Sequence, residues 1–399
     1  MRRKMLPIAI LAMLALGCSA KASAQDIAID EINFPDPGLR EYVQTAYDTN
    51  KDGVLSDEEN AAAKEMNVYF NADPNLMISI REDYYYDYYN LGKWEVHKEF
   101  PCDQIAENPL SSHYEAYIVG SYPWECVINQ PIKSWKGLEN LTSLGWMTIG
   151  GAVSEKLEIK GVRTLYGLTI GGDTSDFVSV SVKKCPKFRY LTFARTYKLK
   201  KIVLSKDLKD LREIRQREFF DSSVSGQDTR RKKPEIVIGE AARLKEINIW
   251  QKPIKNLQVD YSSLKRLSRM TLLMDNSKED MDLSSCKELY SLTVLGKCHK
   301  IILPNKKLFA EKSDGDDNWR YDPDILVSFG PKDGPKILDL SKSTRADDYA
   351  DQYIFPELMR KLKKGKVRTK TLIVSKKMYD NRWNTLRLLR KKGINVQVK

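Results

Sequence analysis

Leu165-Tyr166-Gly167-Leu168-Thr169-Ile170 and Leu289-Tyr290-Ser291-Leu292-Thr293-Val294 are two copies of one phrase, and that phrase sets the architecture of the chain. Its fourth position belongs to a ladder, Met147, Leu168, Leu191, Ile214, Ile247, Met270 and Leu292, whose successive steps are 21, 23, 23, 33, 23 and 22 residues. Half a period away runs a second apolar-x-apolar phrase, at Leu157/Ile159, Val180/Val182, Ile202/Leu204, Ile236/Ile238, Leu257/Val259, Met281/Leu283 and Ile301/Leu303. Apolar residues at alternate positions mark one buried face of a strand. Two such ladders locked in phase describe a solenoid, because a unit of ~22 residues cannot bury its apolar faces alone and gains a core only by stacking.

The phrase resembles the leucine-rich repeat, L-x-x-L-x-L, and Asp282-Leu283-Ser284-Ser285-Cys286-Lys287-Glu288-Leu289-Tyr290-Ser291-Leu292-Thr293-Val294 is its best copy. The fold class this implies is α+β, a leucine-rich-repeat-like β-solenoid over 131–305. Two departures stand out. The usual Asn after the strand is missing, and Ile214 is followed by Arg215-Gln216 where an apolar residue is expected. Both predict irregular backbone bonding in the turns. Residues between ladder positions face outward on a sheet. They include Trp146, Tyr190, Arg215, Trp250 and Arg269, beside a threonine row at 148, 169, 192, 271 and 293, and they are candidates for ligand contact. Cys185 and Cys286 each follow a ladder residue by three positions, which makes them small buried apolar groups.

With 399 residues the chain has room for two or three domains. Residues 1–24 read as an export signal: Met1-Arg2-Arg3-Lys4, then an apolar run from Leu6 to Leu16 that is too short to remain as a membrane span. Leu14-Ala15-Leu16-Gly17-Cys18 resembles a lipobox that would lipidate Cys18 and anchor the chain to a membrane; Ala22-Ser23-Ala24 is a competing site for ordinary cleavage. The net charge of +12 conceals a division. Residues 25–130 hold 21 acidic and 6 basic side chains, a net of −15, while residues 131–399 hold 33 and 56, a net of +23. An acidic head on a basic body favours contact between them, or attraction of the body to anionic surfaces.

In the head, over 25–68, Asp36-Pro37 opens a helix, with Asp as N-cap and Pro at the first helical position. It leads into Asp48-Thr49-Asn50-Lys51-Asp52-Gly53-Val54-Leu55-Ser56-Asp57-Glu58-Glu59, which matches an EF-hand calcium loop position by position. Asp48, Asn50 and Asp52 offer side-chain oxygens, Val54 its carbonyl, Ser56 an oxygen or a bridging water, and Glu59 the closing carboxylate; Gly53 allows the turn. A second helix is expected to run to about Met66. The order Ile32-Asn33-Phe34-Pro35, helix, Asp-rich loop, helix and repeats resembles envelope leucine-rich-repeat proteins of anaerobic gut bacteria, in which an EF-hand-like helix pair caps the first repeat. In that pattern the strand Glu65-Met66-Asn67-Val68 continues directly into Pro131-Ile132-Lys133-Ser134-Trp135-Lys136-Gly137-Leu138.

Residues 69–130 are then an insertion into the first repeat. It is rich in tyrosine, with Tyr84, Tyr85, Tyr86, Tyr88 and Tyr89 in six positions and Trp94 following. Tyr supplies rigid contact area with a polar tip, so Tyr84, Tyr86, Tyr88 and Trp94 are candidate ligand contacts, the alternative being a structural mini-core. Cys102 and Cys126 are expected to form a disulfide in an oxidising compartment. His97 and His113 fit no zinc spacing. Residues 306–399 change rhythm to an α/β cap: a strand at 337–340, a helix around 350–364, a strand at 371–374, a helix over 377–392 and a last strand over 394–398.

No nucleophile elbow, phosphate loop or metal triad is present, so the expectation is a binding protein and not an enzyme. Its expected ligand is a protein at the cell envelope, with a glycan as the alternative; export argues against nucleic acid, and Ca2+ is the expected cofactor.

Overall fold

The computed structural model describes residues 26–70, 84–86, 94–96, 127–128, 131–151, 154–171, 177–194, 196, 198–217, 233–276, 278–304, 308–309, 325–329, 334–342 and 368–399. Cys18, Tyr88, Cys102, Cys126 and the helix expected over 350–364 lie outside these residues.

The chain is a β-solenoid of parallel strands with few helices. Its long wall stacks the strands Glu65–Phe70, Trp146–Gly151, Gly167–Gly171, Tyr190–Ala194, Glu213–Arg217, Glu246–Ile254, Arg269–Asp275 and Ser291–Ile302, each parallel to the next. The register is the ladder itself: Met66 stands opposite Met147, and Met147, Leu168, Leu191, Ile214, Ile247, Met270 and Leu292 follow one another across the wall. All eight are buried, at about 1.5–3 kcal/mol for each fully buried side chain of this kind. Glu65–Phe70 is thus the first rung, and the chain leaves it at Phe70 for the insertion before returning at Pro131.

The second phrase forms a wall of its own. Lys156–Lys160, Ser179–Lys183, Lys201–Leu204, Glu235–Ile238 and Asn256–Val259 pair in parallel, with Leu157, Val180, Ile202, Ile236 and Leu257 in register. Both walls are hydrogen-bonded sheets with the same interstrand spacing of about 4.8 Å, so neither side is forced to fan out. The 33-residue step does not disturb them, since Glu213–Arg217 pairs directly with Glu246–Ile254.

The expected irregularity of the turns is confined to some of them: the turn Val162–Leu165 lacks the paired bonds that others make. Between the walls the backbone makes paired i→i+3 bonds: Leu208 N–H donates to the Ser205 carbonyl and Leu211 to Leu208, as Leu264 does to Tyr261 and Leu267 to Leu264. Each rung then hands two successive N–H groups to one carbonyl below it. Tyr166 and Gly167 share Gly145, Arg189 and Tyr190 share Tyr166, and Tyr290 and Ser291 share Ser268. This peptide ladder satisfies the backbone without the missing Asn. Gln216 stands opposite Phe193 in register and is buried. Cys185 and Cys286 are buried free thiols in the turn column, and burial raises them to about 11 and about 12.

The strand Ser291–Ile302 is 12 residues long and joins the walls. Its first half pairs with Arg269–Asp275 and Ile325–Phe329, its second with Asp280–Asp282 and Gly334–Leu340. The second ladder continues through that half, Met281, Ile301, Leu338, Leu372 and Val396 in register. The sheet therefore runs unbroken past residue 305, and the C-terminal strands extend the solenoid. The helix expected over 377–392 is two, Lys376–Asn381 and Trp383–Lys391, with Arg382 between them. Gly393 follows at φ +92, the left-handed conformation that ends helices.

Candidate functional site

At the head, helix α1 (Pro37–Ala46) and helix α2 (Asp57–Ala62) flank the Asp-rich loop; α2 is shorter than expected because the first rung begins at Glu65. Asp36 caps α1 as expected, its Oδ1 accepting from Gly38 and Leu39 N–H. Its Oδ2 accepts from Lys133 and Ser134 N–H, both at 2.8 Å, a bridge to the far side of the insertion that the capping pattern gave no hint of. Asn60 makes a similar bridge, donating to the Asn140 carbonyl and accepting from Thr142 N–H. Tyr47 O–H donates to the Glu65 carbonyl, and Tyr42 accepts from Asn67 N–H.

The loop itself is closed by its own donors. Asp48 accepts from Asp52 and Gly53 N–H, Asn50 from Asp52 N–H, and Asp52 from Val54 N–H; Gly53 sits at φ +79. Val54–Leu55 pairs antiparallel with Ile27–Ala28, and Leu55 is buried. Glu59 spends one carboxylate oxygen on Thr49 N–H and Oγ, both at 2.7 Å, and the other on Ser56 N–H and Oγ. These hydrogen bonds, Thr49 Oγ foremost, hold Glu59 at about 2. The loop thus has the frame and donor set that suit a cation, but its closing carboxylate is turned to the loop. Among the described residues no group of three or more His, Cys, Asp or Glu side chains is gathered as a metal shell.

On the outward face of the long wall the predicted contact residues fall into three neighbouring patches. Trp146 begins the first. Its indole lies against Gly167, where even a Cβ would stand 2.0 Å from the ring, and a glycine is what lets it lie there. Tyr166 packs edge-on to it at 5.7 Å between centroids and Tyr190 lies at 6.4 Å, making an aromatic platform across three rungs. Gly167 and Tyr166 were both visible in the repeat phrase, but only stacking shows that they build the platform. It begins on the rung paired with Glu65–Phe70, with Trp146 opposite Glu65 and the insertion leaving from the other end of that strand, after Phe70.

Arg215 occupies the next patch and is held inside the fold. Its guanidinium is 3.0 Å from Glu213 and 3.1 Å from Glu246, and its side chain is only 13% exposed. Arg269 stands directly across from Glu246 in register, yet Glu246 is given to Arg215. Arg269 stacks on Tyr290 instead, 5.8 Å from the ring centroid. It borders a shallow open depression of about 370 Å³ lined by Asn248, Arg269, Thr271, Ser291, Thr293 and Leu295. Asn248 donates to Glu246, and its buried Oδ1 has no hydrogen-bond partner. The threonine row is real, with Thr148, Thr169, Thr192, Arg215, Asn248, Thr271 and Thr293 in register. Tyr84–Tyr86 pairs antiparallel with Trp94–Val96; for Tyr84, Tyr86, Trp94 and Trp250 the backbone alone is described.

No protein-family model and no curated protein sequence matches this chain. Among solved structures, the functional domain of InlJ from Listeria monocytogenes, which includes a cysteine ladder, is similar at 10% identity over 82% of this chain and 75% of that one. Its TM-score of 0.16 is too low to bear on fold or function. Among the described residues no helix is long and apolar enough to cross a membrane.

Proposed function

We propose that the chain is an exported, non-catalytic binding protein of the leucine-rich-repeat kind. Its ligand, a protein at the cell envelope, lies along the outward face of the long wall and against the tyrosine-rich insertion. One observation carries this reading. The aromatic platform of Trp146, Tyr166 and Tyr190 stands on the rungs next to the one that carries the insertion, and the Arg269 depression continues the same face. Aromatic residues and arginine are the side chains that dominate interfaces, where a few contacts worth over ~2 kcal/mol each set affinity. Arg215, already paired, is a scaffold for its neighbours. A glycan is the second reading, favoured by the half-buried aromatic rings beside a row of hydroxyls.

The test compares wild type with Tyr190→Ser, with Arg269→Ala, and with Tyr84, Tyr86 and Tyr88 together changed to Ser, in pulldowns from envelope extract and on a glycan array. Melting is expected to be unchanged while capture of one protein falls at least tenfold in each variant. Capture untouched by all three removes this face as the site, and glycan binding without protein capture selects the second reading.

Calcium is part of the same proposal. Asp48, Asn50, Asp52, Val54, Ser56 and Glu59 would hold Ca2+, which would replace the bonds from Glu59 to Thr49 and fasten the helix pair. Calorimetry is expected to show stabilisation of about 2.7 kcal/mol at a hundredfold excess over Kd, removed by chelator and absent in Glu59→Gln. Equal melting in millimolar calcium and in chelator would mean that hydrogen bonds alone close the loop.

A further inference from the structure

We propose that one flank of the solenoid, the edge formed by its Leu-x-x-Leu turns, binds a linear acidic polysaccharide through cations presented rung by rung. In each turn two apolar columns point inward: Val162, Cys185, Leu208, Ala241, Leu264 and Cys286 form one, and Leu165, Phe188, Leu211, Leu244, Leu267 and Leu289 the other. The two residues between them turn away from these columns, with the Thr164 hydroxyl alone among the twelve left buried without a hydrogen-bond partner. Over six successive rungs these are Arg163-Thr164, Pro186-Lys187, Lys209-Asp210, Ala242-Arg243, Lys265-Arg266 and Lys287-Glu288, so every rung carries a cation and each of these cations is exposed.

The strip is largely uncompensated. Asp210 is shared by Arg189 and Arg243, and Glu288 is the other acid on the row. Among the described residues no carboxylate is within ion-pair distance of Arg163, Lys187, Lys209, Lys265, Arg266 or Lys287. Because the walls are hydrogen-bonded sheets, the cations recur at about 4.8 Å, and six rungs span about 24 Å. Like charges at that spacing oppose stacking, and the core does not need them, since each of these cations is solvent-facing. Such a row matches a polymer with its own regularly spaced anions.

The shape of the strip favours a polysaccharide over other polyanions. It is one or two residues wide, a line and not a plane, and the exposed large apolar side chains, Ile32, Trp383, Leu388 and Val398, lie elsewhere, so it lacks what a membrane-surface binder inserts. Binders of single-stranded nucleic acid set aromatic rings among their cations for base stacking, and none of these twelve positions is aromatic. Sugar carboxylates or sulfates need only the cations.

The test uses the full chain and a fluorescent polygalacturonate oligomer, with dextran, phosphatidylglycerol vesicles and a DNA duplex as comparators, at 50 and 200 mM salt. Wild type is expected to bind polygalacturonate and not dextran, with affinity falling steeply as salt rises because bound counterions are released. Changing Lys187, Lys209 and Lys265 together to Glu is expected to lower affinity at least tenfold and flatten the salt dependence, with melting unchanged. Arg269→Ala, on the other face, is expected to leave it intact, which separates this strip from the protein-binding face. Absent polygalacturonate binding, a triple variant that binds like wild type, or tighter binding to vesicles or duplex DNA overturns the proposal.

Discussion

Asp36→Ala is expected to loosen the N-terminal helix pair from the segment that follows the insertion and to destabilise the protein by about 2–4 kcal/mol. Losing an N-cap side chain costs about 1 kcal/mol, and each buried N–H left without an acceptor about 1–3 kcal/mol. Here one carboxylate serves both ends: Gly38 and Leu39 on α1, and Lys133 and Ser134 after the insertion. Asp36 is 5% exposed and its bonds to Gly38 and Leu39 are buried, whereas Lys133 and Ser134 are exposed residues, so water recovers part of the loss at those two amides. Asp36→Asn separates the two roles. Its remaining oxygen can cap the helix, while its amide nitrogen would face two N–H donors, so the bridge alone is lost. Hydrogen exchange reads the outcome residue by residue. In the alanine variant all four amides should lose protection; in the asparagine variant only those of Lys133 and Ser134. If the four stay as protected as in wild type, the carboxylate does not hold the head.

Gly296→Ala should be at least as damaging, by about 3–5 kcal/mol, and far from the head, where the two walls join. Gly296 lies within the strand that crosses from one wall to the other, at φ +76, and a Cβ there would stand 1.9 Å from the Met274 carbonyl oxygen. The left-handed conformation alone costs a side-chain-bearing residue roughly 1–2 kcal/mol. The rest is a collision with backbone, which cannot swing aside as a flexible side chain can. Gly393→Ala is the control, because Gly393 has φ +92 and nothing within 4 Å of its missing Cβ. Denaturant titrations should show a small loss for Gly393→Ala and a loss several-fold larger for Gly296→Ala. Equal losses would mean that the crossing strand yields and that its elbow is not a fixed point.

The sequence by itself determined the stacking. In a parallel solenoid the residue beside Leu168 is its counterpart one period away, so a recurring apolar phrase states both strand and register, and Met147 through Leu292 pair as the phrase orders them. The same logic placed the two turn cysteines in the core, while the first rung at Met66 came from the resemblance to the capped repeat pattern. The Asp36 cap and the closed Asp-rich loop were legible for a related reason: capping and tight turns are made by residues within a few positions of one another.

Only the tertiary structure decided what depends on partner choice among neighbours. Periodicity put Arg215 and Arg269 on one face as equals, but Arg215 took Glu246 and left Arg269 on Tyr290 beside the depression. It assigned Gly167 no role, whereas stacking made it the floor beneath Trp146. It expected irregular turns without the usual Asn, and the irregularity stayed confined to some of them, the rung-to-rung carbonyls supplying the missing acceptors. Each outcome turns on distances of an ångström or two between residues one rung apart. A pattern of apolar and polar positions fixes which rungs meet, while side-chain shape and charge, resolved only when they do meet, fix who binds whom.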